Sequence, residues 1–245
     1  MRIDIWSDII CPFCIIGKRH LELALEKFEH ADAVELHWHS FELDPHSAPY
    51  SGGNVVDMVA QKYGATREQA EASQRDIARR AEAVGLTFNW EVAKPGNTFA
   101  SHRLMHAAWE YFAAQPADAP VPSPAAVEEA FITAYFTDGL DISDPDVLHT
   151  VATELGLPAQ RATDVLSSDA YADAVRADEN QAHQLGINGV PFFLIENKWA
   201  VNGAQPVELF VQALNQVWDE THKQPEALNV IGGIDPAAAC GPDGC

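Results

Sequence analysis

Arg2-Ile3-Asp4-Ile5-Trp6-Ser7-Asp8-Ile9-Ile10-Cys11-Pro12-Phe13-Cys14 follows the initial Met1. Arg2 to Trp6 alternates, with Ile3 and Ile5 on one face, and so predicts a short strand. From Cys11 to about Glu29 the period changes. Leu21, Leu25 and Phe28 recur at spacings of four and three and make one apolar stripe of a helix. Pro12 fits the first turn of that helix, where its missing N–H costs nothing. A C-x-x-C pair therefore stands at a strand-to-helix junction, which is a thiol–disulfide exchange signature.

The chain has 245 residues and four cysteines, all in close pairs. The second pair, Cys240 and Cys245, encloses Gly241-Pro242-Asp243-Gly244. That tetrapeptide is turn-forming and can bring the two Cα atoms within the ~4.4–6.8 Å a disulfide needs. So short a loop stabilises a fold little. The pair reads as an auxiliary redox dithiol on a tail, residues 223–245, rather than as a staple.

The hydrophobic fraction of 47% suffices for a full core. The net charge of −21 disfavours nucleic acid and anionic lipid as partners. The acids are spread along the chain, as on a solvated acidic surface. Met1 to Asp8 has no basic n-region or cleavage site, and no apolar run approaches the ~20 residues of a membrane span. A cytoplasmic protein without membrane association is expected. The sequence carries no signal of oligomeric state.

Ala33 to Leu43 predicts a second strand, ended by Asp44-Pro45. The middle is helical. Thr66-Arg67-Glu68-Gln69 is a capping box opening a helix to about Val84, stopped by Gly85. Another helix starts at Asn97-Thr98, with Phe99, Leu104, Ala108 and Phe112 as core positions. Further helices are predicted from Ala125 to Phe136, from Asp144-Pro145 to Gly156, from Pro158, and from Ser168-Asp169 to Gly186. Gly189-Val190-Pro191-Phe192-Phe193 then leads into an apolar strand, Lys198 to Val201 is its hairpin partner, and Pro206 to about His222 is a last helix. The class is α/β, with a large all-helical insertion. Residues 1–45 and 187–222 form the sheet-bearing domain and residues 46–186 the insertion.

The order of these strings resembles the DsbA-like thioredoxin-fold oxidoreductases, and most nearly the FrnE-type subgroup. That subgroup is related to the 2-hydroxychromene-2-carboxylate isomerases and kappa-class glutathione transferases. The strings are Ser7-Asp8, Cys11-Pro12-Phe13-Cys14, Phe41-Glu42-Leu43-Asp44-Pro45, Asn97-Thr98-Phe99-Ala100-Ser101-His102-Arg103-Leu104, Gly189-Val190-Pro191-Phe192-Phe193 and Gly203-Ala204-Gln205. The resemblance implies a thioredoxin-like fold. It also implies a cis Pro191 facing the C-x-x-C, and a Val190 backbone turned out to pair with an extended client. Position 13 is Phe where the subgroup more often has Trp, and the tail pair is absent from most of the wider family.

The exchange chemistry needs a nucleophilic sulfur and a second thiol to resolve the mixed disulfide. Cys11, at the helix N-terminus, meets free N–H groups that favour a thiolate. Cys14 lies one turn on and is shielded, so it is the resolver. Pro12 and Phe13 bring no cation, which predicts a potential more reducing than the about −120 mV typical of DsbA. Pro12, Phe13, His39 and His102 are candidates for the substrate cleft, His37 or His39 also as a proton relay to Cys14, and Asp8 as a helix cap or a group in proton transfer. No metal is assigned and no cofactor beyond the cysteines, with glutathione or a thioredoxin-type partner as reductant. Disulfide-containing proteins or small thiols are the substrates. The alternatives are a glutathione-dependent isomerase or transferase of the kappa type, and a redox-sensing zinc-binding interaction protein using both cysteine pairs.

Overall fold

A computed structural model describes residues 1–222. The expectations placed on residues 223–245, the Cys240/Cys245 pair among them, lie outside the described residues. Four strands form one sheet: β1 (Arg2–Ser7), β2 (Glu35–Ser40), β3 (Phe192–Ile195) and β4 (Trp199–Asn202), in the order β2-β1-β3-β4. β1 runs parallel to β2, with Ile5 opposite Trp38 and Trp6 opposite His39, and antiparallel to β3, with Ile5 opposite Phe193. The first and last parts of the chain thus share a sheet. Helix α1 (Pro12–Leu25) follows β1, and α9 (Val207–Thr221) closes the described chain.

Between β2 and β3 the described structure is helical: α2 (Val55–Tyr63), α3 (Arg67–Glu82), α4 (Phe99–Ala113), α5 (Pro124–Phe136), α6 (Pro145–Glu154), α7 (Ala159–Leu166) and α8 (Ala172–Gln184). The capping box at Thr66 and Gln69 is formed, each side chain bonded to the other's backbone. α2 is an element the apolar periodicity did not reveal. Its local signals are an Asn54 cap accepting from Asp57 N–H and a left-handed Gly64 at its end.

β1 is buried on both faces rather than one. Ile3 and Ile5 pack with Leu21, Phe193, Phe210 and Leu214, residues of α1, β3 and α9. On the other face Trp6 meets Ala182 and Leu194. Asp4 is buried there because Arg2 binds its two oxygens at 2.5 and 2.8 Å and His39 lies 2.7 Å away. The largest core cluster joins Ile9, Ile15 and Ile16 to Met105, Phe131, Tyr135 and other residues of the insertion, so α1 is sandwiched between sheet and helical block.

Gly17 permits one close approach. A Cβ there would stand 2.9 Å from Pro191 Cγ and 3.2 Å from Phe193 Cζ. Alanine would gain about 1 kcal/mol in helix propensity, but overpacking a rigid ring costs about 1–3 kcal/mol. Gly17→Ala is expected to lower the urea midpoint and to push α1 away from Pro191. An unchanged or raised midpoint would show that the ring yields freely.

Candidate active site

Cys11 is the N-cap of α1, with φ −92° and ψ 109° and no side-chain cap bond. Its N–H donates to Asp8 O and its own carbonyl accepts from Cys14 N–H, both at 3.0 Å. The Asp8 carboxylate does not cap the helix. It is fully buried, accepts Leu43 N–H at 2.7 Å, and lies 3.3 Å from His102 Nε2.

Both cysteines are free thiols, 4% and 2% exposed for Cys11 and Cys14. Exposure hardly separates them; their surroundings do. Cys11 Sγ–H donates to Val190 O at 3.4 Å, and the Val190–Pro191 peptide is cis. Pro191 O accepts Gly203 N–H at 2.9 Å, which ties this segment to the end of β4. Val190 is itself partly exposed, so Cys11 lies against a peptide edge reachable from outside.

Cys14 faces inward. Burial pushes its thiol well above the usual cysteine range, and the neighbouring Cys11 adds to this; the Asp8 backbone and the Ser7 side chain pull the other way. The Ser7 hydroxyl donates to Glu128 Oε1, and Glu128 of α5 is 1% exposed. Burial raises the Glu128 carboxyl, with Ser7, His102 and Lys18 opposing and Asp8 adding to the rise. Burial disfavours the His102 cation, but Asp8, Glu128 and Glu42 outweigh it and raise its pKa. His102 Nδ1 and the Tyr135 hydroxyl are buried without a hydrogen-bond partner among the described residues.

The strings quoted from the sequence converge here. Glu42 accepts from Arg176 at 2.5 Å and from Asn97 at 3.4 Å, and the Arg176 guanidinium lies 4.2 Å from the Phe99 ring centroid. His102 is thus interior, paired with Asp8, rather than in a cleft. Glu128 was not foreseen, although it stands in line with Phe131, Ile132 and Tyr135 at helical spacing on the buried face of α5.

His39 also departs from expectation. It is held between two carboxylates, Nε2 at 2.7 Å from Asp4 Oδ1 and Nδ1 at 2.9 Å from Asp178 Oδ1, and stacks on Trp6 with centroids 4.5 Å apart. Both ring nitrogens are engaged, so it has none to offer Cys14. Asp178 of α8 also accepts Ser40 N–H at 2.8 Å and lies 3.1 Å from His106 Nε2, while its carbonyl accepts from Trp6 Nε1 at 3.1 Å. This clamp joins the helical block to the sheet.

Burial opposes ionisation of Asp178, but bonds from His106 and His39 bring its pKa down from 3.8 to about 2. Burial likewise disfavours the His39 cation, but Asp178 and Asp4 prevail and raise its pKa above 6.5. The Asp178 contribution to stability is complete above pH 3.8 and lost as pH falls through about 2. The His39 contribution is complete below pH 6.5 and lost as pH rises through its raised folded value. Asp178→Asn is therefore expected to destabilise most between these limits, by about 1–3 kcal/mol, and less at either extreme. Denaturation of both proteins across pH checks this; a pH-independent gap would sink it.

A cavity of about 700 Å³ is lined among others by Phe13, His20, Arg80, Glu208, Pro191 and Val190, the residue whose carbonyl Cys11 touches. Phe13 is thus a wall of the cleft and Pro12 a partly exposed neighbour. The dipeptide itself carries no cation, but α3 supplies one, with the Arg80 guanidinium 5.2 Å from the Phe13 ring centroid.

Among proteins of known sequence, YwbO of Bacillus subtilis (strain 168) is 27% identical over 226 residues, 91% of this chain and 99% of its own. The crystal structure of a probable DsbA oxidoreductase from Streptomyces coelicolor matches with a TM-score of 0.83 at 41% identity, covering 100% of this chain and 98% of that one. The cytosolic disulfide reductase DsbM from Pseudomonas aeruginosa, solved with GSH, shares the fold at a TM-score of 0.58 and 16% identity, over 89% of this chain and 99% of that one. Residues 2–215 match the DSBA-like thioredoxin domain, the family to which this chain belongs.

Proposed function

We propose that the chain is a cytoplasmic thiol–disulfide oxidoreductase or isomerase of the FrnE type, with Cys11 as nucleophile and Cys14 as resolving thiol. The observation that carries this reading is the contact of Cys11 Sγ with Val190 O at 3.4 Å, with Cys14 enclosed behind it. The Val190 edge receives an extended client backbone as an added strand would. Cys11 thiolate attacks a client disulfide, a Cys11–client bond forms, and the departing client thiolate takes a proton from solvent. Cys14 then attacks the Cys11 sulfur. Its proton passes through the Ser7 hydroxyl to the Glu128 carboxylate, the Cys11–Cys14 bond forms, and the second client thiolate leaves. The client has gained two electrons and the protein has lost two.

Two equivalents of a small thiol such as glutathione, or a thioredoxin-type dithiol, restore the reduced state; the reverse sequence oxidises clients. The name of DsbM, a cytosolic reductase solved with GSH, supports both the thiol and the compartment. No described helix is long and apolar enough to cross a membrane. The Cys240/Cys245 pair is proposed to pass electrons to or from Cys11–Cys14. Truncation after His222 is then expected to change the rate or potential of exchange while leaving the fold intact; identical values would make the pair a passenger. Insulin reduction with glutathione as electron source tests the main reading, and absence of turnover with protein and small disulfides alike would overturn it.

A further inference from the structure

Arg80 stands apart from the other arginines. Its helical neighbours are paired, Arg67 with Asp57 and Glu71, Arg75 with Glu71, and Arg79 with Asp76. Among the described residues Arg80 is the one arginine without a hydrogen-bonded or ion-paired partner; it lies over Phe13 instead, exposed and lining the cavity that Val190 and Pro191 also line. In a chain of net charge −21 an unneutralised guanidinium at such a place has no shortage of acids it could have met. Glu208, at the start of α9, lines the same cavity and is likewise exposed and unpaired among the described residues. His20 also lines it, with its Nδ1 2.7 Å from Gln205 O. The cavity volume lies in the range of small-molecule sites, which use a few fixed polar groups to set orientation.

We infer that Arg80 is a specificity-determining residue that selects small thiols and disulfides bearing a carboxylate. The carboxylate binds the guanidinium through its paired donors. An ammonium group on the same substrate faces Glu208. The substrate sulfur is thereby delivered along Val190 to Cys11. The remote field of the acidic surface repels anions, so the preference for a carboxylate is local to this cavity. The inference rests on the exchange reading above and names the substrate class of that site.

The test compares three disulfides on the full chain: glutathione disulfide, cystamine, which has ammonium groups and no carboxylate, and 2-hydroxyethyl disulfide, which has neither. Arg80→Ala is expected to raise KM for glutathione disulfide about tenfold, the order of a lost hydrogen bond to a charged group, with kcat and the 2-hydroxyethyl disulfide constants unchanged. Arg80→Lys should restore part of the loss, and Arg80→Glu should make cystamine the better substrate. Equal changes for all three substrates, or none, would overturn the inference. Calorimetric binding of S-methylglutathione, which cannot exchange, separates it from the reaction itself. Binding that weakens in Arg80→Ala supports the inference even if no disulfide is turned over, an outcome that would sink the exchange reading instead. Binding unaffected by Arg80 refutes the inference whatever the turnover.

Discussion

Cys11→Ser is expected to abolish disulfide exchange altogether, because a hydroxyl cannot form the mixed disulfide through which the electrons pass. Cys14→Ser has a different consequence. Cys11 still attacks along the Val190 edge, but nothing displaces the client from it, so the mixed disulfide accumulates. The polarity follows from position: Cys11 Sγ touches Val190 O, whereas Cys14 lies against Ser7 and Asp8 inside the fold. Ionising Cys14 in place is opposed by burial and by its neighbour, so it is poorly suited to begin the reaction. Non-reducing gels and intact mass after mixing each variant with oxidised insulin are the measurement. Trapping by both variants alike would remove the assigned polarity. Loss of the native circular dichroism spectrum in either would instead trace the defect to folding, and this is unexpected for a sulfur-to-oxygen exchange at the end of a helix.

Much of this site was legible because the chemistry is local. The strand, the C-x-x-C and the following helix are adjacent in sequence, and Pro12 and the stripe Leu21, Leu25, Phe28 fix the helix without tertiary information. Pro191 was legible only through resemblance; composition and period do not say which residue a proline will face. The histidines misled because strand alternation shows a face but not what covers it. His39 alternates with His37, yet α8 arrives over it with Asp178, 139 residues distant in sequence. Arg80 and Glu128 were missed for the same reason: each lies on a helix of the insertion, and the packing of that helix on α1 gives it its role. For Glu128 a signal was present, an acid at helical spacing from Phe131, Ile132 and Tyr135. For Arg80 none was, since an arginine beside Arg79 reads as a solvated face.

Glu128→Gln is expected to slow resolution by Cys14 about a hundredfold, the lower range of general acid–base contributions, and to leave attack by Cys11 unchanged. The amide keeps the volume of the side chain and can still accept from Ser7, so what it removes is the capacity to take up a proton. Mixed-disulfide formation and decay, quenched by acid and followed by mass, give the two steps separately. Stability supplies a second readout with a definite sign. The folded protein raises the Glu128 carboxyl above its ordinary 4.5, so this group contributes most below that pH and loses its contribution as pH rises through the folded value. The charged form is the one burial penalises. Glu128→Gln should therefore be more stable than the parent at neutral pH, with the gap closing below pH 4.5. A buried acid that slows one chemical step when neutralised, yet destabilises the fold at working pH, is retained for the proton and not for the packing. If Glu128→Gln slowed both steps equally or neither, the path from Cys14 through Ser7 would end elsewhere, and Asp8 with His102 would be the remaining acceptor within the same buried cluster.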